Sequence, residues 1–252
     1  MTVYVTGDTH GGVKEYQALK RFALEQGLTR DDVIIIAGDA GVYYGGKAFG
    51  PGRTIMKESP CRFLIVRGNH DDRITHIIES GQASGKWSRG EILGNAAYVN
   101  DGYPNVYYAL DEGGLYKVDG EKVLIVPGAY SIDKYYRLEN GFPYNPYEQL
   151  NPKEMDDLLQ LAEDNPDITG VIAHTAPQSW EPCFRDLFFK GLDQSRVDKT
   201  TDKFLDTLVE KLPNLNVYYF GHFHADRNCG EHGVMIYHEV LEYGKRHGET
   251  II

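Results

Sequence analysis

The chain is short of positive charge, and this deficit excludes several classes of partner. Its 252 residues contain 26 Lys and Arg against 37 Asp and Glu, which gives a formal net charge of −11 at pH 7. A nucleic-acid backbone is neutralised by clustered Lys and Arg, yet the densest basic stretch is Lys245-Arg246. A membrane surface makes a similar demand for cations. We therefore expect neither nucleic acid nor a membrane as partner.

Cysteine and long apolar runs are also scarce. The three Cys residues stand far apart with no CxxC pair (Cys61, Cys183 and Cys229), which favours reduced thiols over a disulfide framework or a structural zinc site. No apolar run approaches the ~20 residues needed to span a bilayer, and the first residues lack the cationic and apolar regions of a secretory signal. These features predict a cytoplasmic protein.

The chain does contain enough apolar material for a full core. Hydrophobic residues make up 41% and charged residues 25% of it, as is ordinary for a soluble globular protein. It has no tandem repeat and no low-complexity linker. Because α/β domains commonly reach about 200–250 residues, we expect residues 1–252 to form one domain.

Buried strands alternate with helices over much of the sequence. Apolar residues recur with helical spacing at 16–23, 155–162 and 204–212, which predicts three helices. The segment Asn151-Pro152-Lys153-Glu154 predicts a capped helix start. Short β-rich runs end in Gly-containing turns at 3–6, 33–36, 63–66, 123–126, 168–173 and 217–220.

The middle of the chain has a different pattern. The runs 97–100, 106–110, 115–118 and 122–126 are separated only by turns, as in an antiparallel meander. The βαβ portions predict one mixed sheet and the meander a second sheet stacked on it. The expected fold class is α/β, a four-layer α/β/β/α sandwich of two mixed sheets flanked by helices.

Five of the predicted strands are followed by short polar motifs, where functional loops of such sheets gather. In the first and last motif the ligand-type residues stand two apart, so in extended backbone both side chains point to the same side. A single motif of this kind could be a turn or a pair of exposed histidines, but five together indicate a metal centre. The motifs are GDTHGG at 7–12, AGDAG at 37–41, RGNHDD at 67–72, AHTAP at 173–177 and FGHFH at 220–224.

The mixture of ligand types indicates which metals. Carboxylate, imidazole and amide groups without thiolate suit borderline divalent ions better than Ca²⁺ or a zinc-finger ion. Seven candidate ligands are too many for one tetrahedral ion. Two ions about 3.5–4 Å apart, bridged by a carboxylate and a hydroxide, form the arrangement used for in-line displacement at phosphorus.

The ordered motifs resemble the calcineurin-like metallophosphoesterases, whose pattern is GDxH, GD, GNH[DE], [GA]H and GHxH. The matched motifs run from Gly7 to His224. Within this family the chain most resembles small bacterial and phage-type metallophosphatases. The resemblance implies a dinuclear site at the carboxyl ends of the strands. We expect two divalent ions, Mn²⁺ first, with Fe, Zn, Ni or Mg as alternatives. By matched position, one ion would be bound by Asp8, His10 and His224, the other by Asn69, His174 and His222, and Asp39 would bridge both.

The same resemblance implies that His70 donates a proton to the leaving oxygen or stabilises charge there. An alkoxide leaves poorly unless it is protonated, and a His that is not a ligand has a suitable pKa. Asp71 or another acid could orient or charge this His.

Protein Ser/Thr phosphatases of the superfamily extend the second motif to GDxxDRG, and this chain departs from that pattern. Val42 and Tyr43 stand where the Asp and Arg would be. Contacts to phosphate must therefore come from elsewhere. Segment 128–137 is one candidate because it combines a hydroxyl and cations (Ser131 and Arg137), and Arg73 is another.

These features predict a metal-dependent phosphoric ester hydrolase. It would cleave a phosphomonoester or phosphodiester by attack of a hydroxide that bridges the two metals, with His70 as proton donor. The alternatives are a catalytically silent scaffold of the same fold and, among enzymes, a nuclease or a protein phosphatase. Two aspartates cannot neutralise two divalent ions, so the site should be a positive pit that suits a small phosphorylated substrate.

Overall fold

A seven-stranded sheet contains the first three motif-bearing strands. The structure, a computed structural model, describes residues 1–81, 83–187 and 196–249. Four central strands of this sheet are parallel: β1 (Val3–Thr6), β2 (Val33–Ala37), β5 (Arg62–Val66) and β8 (Val106–Tyr108). Three edge strands are antiparallel to their neighbours: β6 (Trp87–Ile92), β7 (Asn95–Asn100) and β15 (Leu241–Glu242). The spatial order is β15-β1-β2-β5-β8-β7-β6.

A six-stranded sheet contains the other two motif-bearing strands. Four of its strands are parallel: β10 (Glu121–Val126), β11 (Ile168–Ala173), β12 (Val217–Phe220) and β14 (Gly233–Met235). The antiparallel edges are β9 (Gly114–Val118) and β13 (Arg227–Cys229), in the order β13-β14-β12-β11-β10-β9. A separate two-stranded ribbon is formed by β3 (Tyr43–Tyr44) and β4 (Lys47–Ala48).

Helices cover the outer face of each sheet. The first sheet is covered by α1 (Val13–Glu25), α2 (Gly50–Glu58) and α3 (Ile74–Ser80). The second is covered by α5 (Pro152–Asp164) and α7 (Thr200–Glu210). Two short helices lie in connections, α4 (Lys134–Glu139) and α6 (Glu181–Phe184), the latter flanked by 3-10 turns at Gln178–Trp180 and Arg185–Leu187. None of the described helices is both long and apolar enough to cross a membrane.

Alternate residues of the central strands face different layers. In β2, Val33, Ile35 and Ala37 belong to the core between the two sheets, while Ile34 and Ile36 pack towards α1, α2 and α3. Strand β10 repeats this alternation in the second sheet. Because both faces are buried, these strands are continuous hydrophobic runs. The predicted four-layer α/β/β/α sandwich is confirmed.

The start of α5 follows the predicted capping pattern. The Asn151 side chain accepts a hydrogen bond from the Glu154 backbone N–H, and the Glu154 carboxylate accepts one from the Asn151 N–H. Pro152 occupies the first helical position, where a missing N–H is harmless. The sequence-based prediction of this boundary is confirmed.

The prediction that the meander forms the second sheet is wrong. Strands β7 and β8 belong to the first sheet, and β9 and β10 belong to the second. Between them Asp111 is fixed against the start of α3, where its carboxylate accepts hydrogen bonds from the N–H groups of Ile74 and Thr75 at 3.0 and 2.9 Å. A Cβ on Gly113 would lie 2.5 Å from the Ile125 carbonyl oxygen, so glycine allows the chain to cross between sheets here.

The prediction of three reduced cysteines is also wrong for two of them. Cys183 and Cys229 form a disulfide, with their Cα atoms 5.7 Å apart. They are 46 positions apart in sequence, and the packing of α6 against β13 brings them together. Cys61 is free and buried. Spacing alone could not reveal this pair because no local motif links its members.

Candidate metal centre

The five polar motifs meet at one edge of the sandwich. The loop after β1 hydrogen-bonds to the loop after β2 through the N–H of His10 and the carbonyl of Asp39, at 2.8 Å. The loop after β12 bonds to the end of β11 through the N–H of Gly221 and the carbonyl of His174, at 3.1 Å. Each of these bonds joins strand ends within one sheet, and the contact of His174 Nδ1 with the Ala37 carbonyl oxygen at 2.9 Å connects the two sheets.

Four of the seven predicted ligands have left-handed backbone conformations. The φ angles of His10, Asp39, His222 and His224 lie between 46° and 68°. Such conformations are uncommon for residues with a side chain and cluster at functional sites, where surrounding structure maintains them. Here they turn the four side chains sharply out of the strand direction.

Asp8, His10 and His224 form the first group of candidate ligands. The Asp8 Oδ2 atom lies 3.1 Å from His224 Nε2 and 3.7 Å from His10 Nε2. Asp8 is buried, and its Oδ1 accepts the N–H of His222 at 3.0 Å. The hydrogen bond to Asp8 is the main reason that the pKa of His224 is raised. The His224 ring also stacks on Tyr237, with 4.8 Å between centroids.

Asn69, His174 and His222 lie together beside Asp39. His174 Nε2 is 2.9 Å from Asn69 Oδ1 and 3.4 Å from Asp39 Oδ1, and the rings of His174 and His222 have centroids 5.0 Å apart. Burial, followed by the nearby charge of His174, holds the pKa of His222 well below its usual value.

His174 is oriented by the backbone of the first sheet. Its Nδ1 lies 2.9 Å from the carbonyl oxygen of Ala37, so Nδ1 carries a proton and donates it there. Nε2 is then the atom available to a metal ion. Burial lowers the pKa of this imidazole, but the carboxylates of Asp39 and Asp8 outweigh burial and raise it to about 9. A bound cation would take the place of that second proton.

Asp39 lies between the two groups. Its Oδ2 is 3.9 Å from His10 Nδ1, and its Oδ1 faces His174. Burial alone would raise the pKa of Asp39, but His174, His70 and His10 lower it far below the usual range. A Cβ on Gly68 would lie 2.1 Å from Asp39 Oδ1, so a glycine is needed for the third loop to approach this carboxylate.

The donor set fits divalent cations. The Nε2 atoms of His10 and His224 face each other at 2.8 Å beside the Asp8 carboxylate, and two neutral imidazoles with facing lone pairs need a proton or a cation between them. Among the residues that the structure describes, three groups of His and Asp side chains have potential ligand atoms within 4.8 Å of one another: Asp8, His10 and His224; His10, Asp39 and His70; and Asp8, Asp39 and His174.

His70, the predicted proton donor, lies against Asp39. Its Nδ1 is 3.4 Å from Asp39 Oδ2, its backbone N–H donates to Asp39 Oδ1 at 2.7 Å, and its ring lies 5.3 Å from that of Tyr44. Among the described residues its buried Nε2 has no hydrogen-bond partner. Burial lowers the pKa of His70, and the positive charge of Arg137 lowers it further. The negative charge of Asp39 acts in the opposite direction but does not outweigh burial.

Asp71 does not orient His70 as expected. Its buried carboxylate accepts backbone N–H bonds from Ala40, Gly41 and Gly68 at 3.1, 2.8 and 3.0 Å. Burial, then the neighbouring charge of Asp39, raises the pKa of Asp71 to about 7. The acid beside His70 is Asp39, and Asp71 instead ties two motif loops together. The adjacent position in the motif suggested contact, but the turn directs the two side chains apart.

Two of the three predicted substrate contacts are engaged elsewhere. Arg73 is buried and makes a bidentate ion pair with Glu154 at 2.6 and 2.8 Å, which connects the start of α3 to the start of α5. Ser131 is also buried, and its hydroxyl lies between Asn69 and Glu148. Both polar groups are engaged within the protein, and these contacts contradict their assignment as substrate contacts.

Arg137, the third predicted contact, lies at the rim of the site. Its guanidinium donates to Asp133 at 2.7 Å and to the hydroxyl of Tyr44 at 3.4 Å, and Tyr44 contacts the ring of His70. No sequence signal selects Tyr44 or Glu148, since neither belongs to a motif. Only the fold brings ribbon β3–β4 and segment 144–150 to the centre.

Comparisons with known proteins agree with this description. The family model described as calcineurin-like phosphoesterase matches residues 1–226. The chain belongs to this family, and the resemblance in the motifs is confirmed. No curated protein matches the chain.

Similar solved structures extend the comparison of folds. Phosphopantetheinyl hydrolase (PptH) from Mycobacterium tuberculosis is 17% identical, with a TM-score of 0.52 over 94% of this chain and 89% of that one. The protein TT1561 of Thermus thermophilus is 12% identical, with a TM-score of 0.49 over 92% and 87%. At these identities the first likeness supports the fold alone.

Proposed function

We propose that this calcineurin-like phosphoesterase hydrolyses a phosphate ester of a small molecule with two divalent metal ions. The observation that carries the proposal is the facing pair His10 Nε2 and His224 Nε2, 2.8 Å apart beside Asp8, with Asp39 leading to a second group of ligands. Without a cation the two rings can share one proton as a hydrogen bond, but with both Nε2 atoms unprotonated they and the Asp8 carboxylate present three ligand atoms to one ion.

We propose the division of residues between two ions that the motif pattern implies. One ion would be held by Asp8, His10 and His224, and Asp39 would be shared with the other. Asn69, His174 and His222 would hold the second ion. Mn²⁺ suits this mixture of imidazole, carboxylate and amide ligands. When bound, the ions would supply positive charge to the phosphoryl oxygens and lower the pKa of a water molecule.

His70 is the residue best placed to handle a proton. The Nδ1 atom of His70 lies 3.4 Å from Asp39 Oδ2. The Nε2 atom of His70 has no hydrogen-bond partner among the described residues. It would donate from Nε2 to the departing alkoxide oxygen. Arg137 supplies a cation on the same side through its contact with Tyr44. We propose that Arg137 contacts the phosphate or the leaving group.

Charge supports a small substrate rather than nucleic acid. The chain as a whole carries −11, whereas a centre with two divalent ions would be positive. A small phosphorylated molecule can enter such a site, but a long polyanion would also have to lie across the acidic surface. We accordingly propose no nucleic-acid partner.

The test is metal-dependent hydrolysis of p-nitrophenyl phosphate and bis(p-nitrophenyl) phosphate after reconstitution with Mn²⁺. Chelation should abolish turnover. Asp39→Asn should lower it by more than about a hundredfold, because substitutions outside the ligand shell alone remove 10–100-fold. Asp111→Asn is the matched control, because Asp39 and Asp111 are both 2% exposed and Asp111 lies at the start of α3. Turnover that survives chelation or Asp39→Asn would refute the proposal.

A further inference from the structure

Asn69 differs from the other candidate ligands because only one end of its side chain can bind a cation. The amide presents Oδ1 at one end and NH₂ at the other, and the two ends have nearly the same shape. If the amide turned over, two protons would face the metal ion. A centre that uses this residue therefore needs something that fixes the amide orientation.

Two buried side chains contact the NH₂ end of Asn69. Its Nδ2 lies 3.0 Å from Ser131 Oγ, and Ser131 Oγ lies 2.5 Å from Glu148 Oε2. The other carboxylate oxygen, Oε1, accepts the backbone N–H of Ser131 at 2.9 Å. Asn69 is 3% exposed, and Ser131 and Glu148 are each 1% exposed. Water therefore offers little alternative to these contacts.

The count of protons determines the direction of each bond. Above about pH 7, where Glu148 is ionised, its carboxylate can only accept, so the single proton of the Ser131 hydroxyl goes to Oε2. Ser131 Oγ then has only lone pairs to offer Asn69, and the group facing it must be NH₂. Asn69 Oδ1 is consequently directed to the opposite side, where it lies 2.9 Å from His174 Nε2.

We propose that Ser131 and Glu148 are positioning residues that fix the amide of Asn69 with its oxygen towards the second metal ion. This inference rests on the proposed metal centre. The residues do not touch substrate or metal. They act through Asn69, as the outer partners of metal ligands commonly do.

Holding segment 144–150 in place does not require the Ser131 hydroxyl. Arg67 donates to the carbonyl oxygen of Glu148 at 2.6 Å, and Asn145 donates to the carbonyl oxygen of Asp71 at 3.1 Å. These bonds attach the segment independently. Removal of one hydroxyl should therefore leave the fold intact and affect the amide of Asn69.

The experiment measures Mn²⁺ binding to chelator-treated protein at about pH 8 by titration calorimetry and by electron paramagnetic resonance of free Mn²⁺. Ser131→Ala should weaken binding at one of two sites by about 10–100-fold and leave the other unchanged. Thr201→Val is the matched control, because Thr201 is 1% exposed and its hydroxyl donates to Gln149, next to Glu148. This control should bind both ions as wild type does.

The same titration in an Asn69→Asp background separates orientation from general support. A carboxylate has two equivalent oxygens, so Ser131→Ala should cause no further loss there. Glu148→Gln is a second variant that keeps the size of the side chain. Its NH₂ would donate to Ser131 Oγ, which releases the hydroxyl proton towards Asn69 and should weaken the same site.

Two results would overturn the inference. One is wild-type affinity in both Ser131→Ala and Glu148→Gln. The other is an equal loss on Ser131→Ala in the Asn69 and Asn69→Asp backgrounds. If wild-type protein binds two ions and either result is found, the inference alone fails. If wild-type protein binds no Mn²⁺, the proposed function fails with it.

Discussion

Replacing Glu148 with Gln should change how the stability of the metal-free protein depends on pH. Burial raises the pKa of the Glu148 carboxyl to about 7 from an ordinary 4.5, although two hydrogen bonds from Ser131 and the charge of Lys134 act in the opposite direction. Tyr144 also faces this carboxyl, with its hydroxyl 3.4 Å from Oε1. The carboxyl therefore keeps its proton to a higher pH in the folded chain than in the unfolded chain.

The sign and size of the effect follow from this difference. Below about pH 4.5 the carboxyl is protonated in both states. As pH rises from there to about 7, the unfolded chain releases the proton first, so the free energy of unfolding falls. The difference between 4.5 and about 7 corresponds to about 3 kcal/mol, at 1.36 kcal/mol per pKa unit. The Gln variant cannot ionise and lacks this contribution.

Urea unfolding of chelator-treated wild type and Glu148→Gln between pH 4.5 and pH 8 measures the effect. The variant should gain about 3 kcal/mol relative to wild type as pH rises across this window. Asp71 and His174 titrate in both proteins, so their contributions cancel in the comparison. Thr201→Val should run parallel to wild type. If the Glu148→Gln curve also runs parallel to that of wild type, Glu148 is ionised in the folded protein throughout and the reasoning is wrong.

Two further predictions concern residues that the structure reassigned. Arg73→Met should lower the free energy of unfolding by about 3 kcal/mol, because it leaves Glu154 without its buried partner. The KM for an aryl phosphate should stay unchanged. A raised KM at unchanged stability would instead indicate that Arg73 contacts the substrate. Cys183→Ser should lower Tm by about 10 °C in non-reducing buffer, since a cross-link that closes a 46-residue loop contributes about 4 kcal/mol. With dithiothreitol the two proteins should melt together, and an equal difference in both buffers would show that the serine acts through packing.

The candidate ligands could be predicted from sequence because each lies in a local pattern. A buried strand followed by a glycine-containing polar turn indicates a strand end, and parallel strands bring such ends to one edge of a sheet. Asp8 and His10 needed only this rule and their spacing of two. The four-layer fold was predicted from the βαβ runs together with the meander, and it is confirmed although the meander strands are divided between the two sheets.

The residues that support the site could not be predicted in this way. Ser131 and Arg73 carry groups that bind phosphate in many proteins, and only their partners reveal other roles. Those partners are distant in sequence: Glu154 is 81 positions from Arg73, and Asn69 is 62 positions from Ser131. The division of the meander between the two sheets could not be predicted either, because the sequence of a turn does not specify which sheet the next strand joins.

The candidate metal ligands come from both sheets, and this affects when during folding the site can form. His10 and His224 are 214 positions apart, and the last motif is carried by the second sheet. Contacts of such long range form late, because the chain entropy of closing the intervening loop must be lost first. A chain still emerging from the ribosome would carry the first three motifs without the last two. For a centre that binds two ions as proposed, high-affinity uptake of both would mark a polypeptide whose two sheets have already packed together, and metal binding would come at the end of folding.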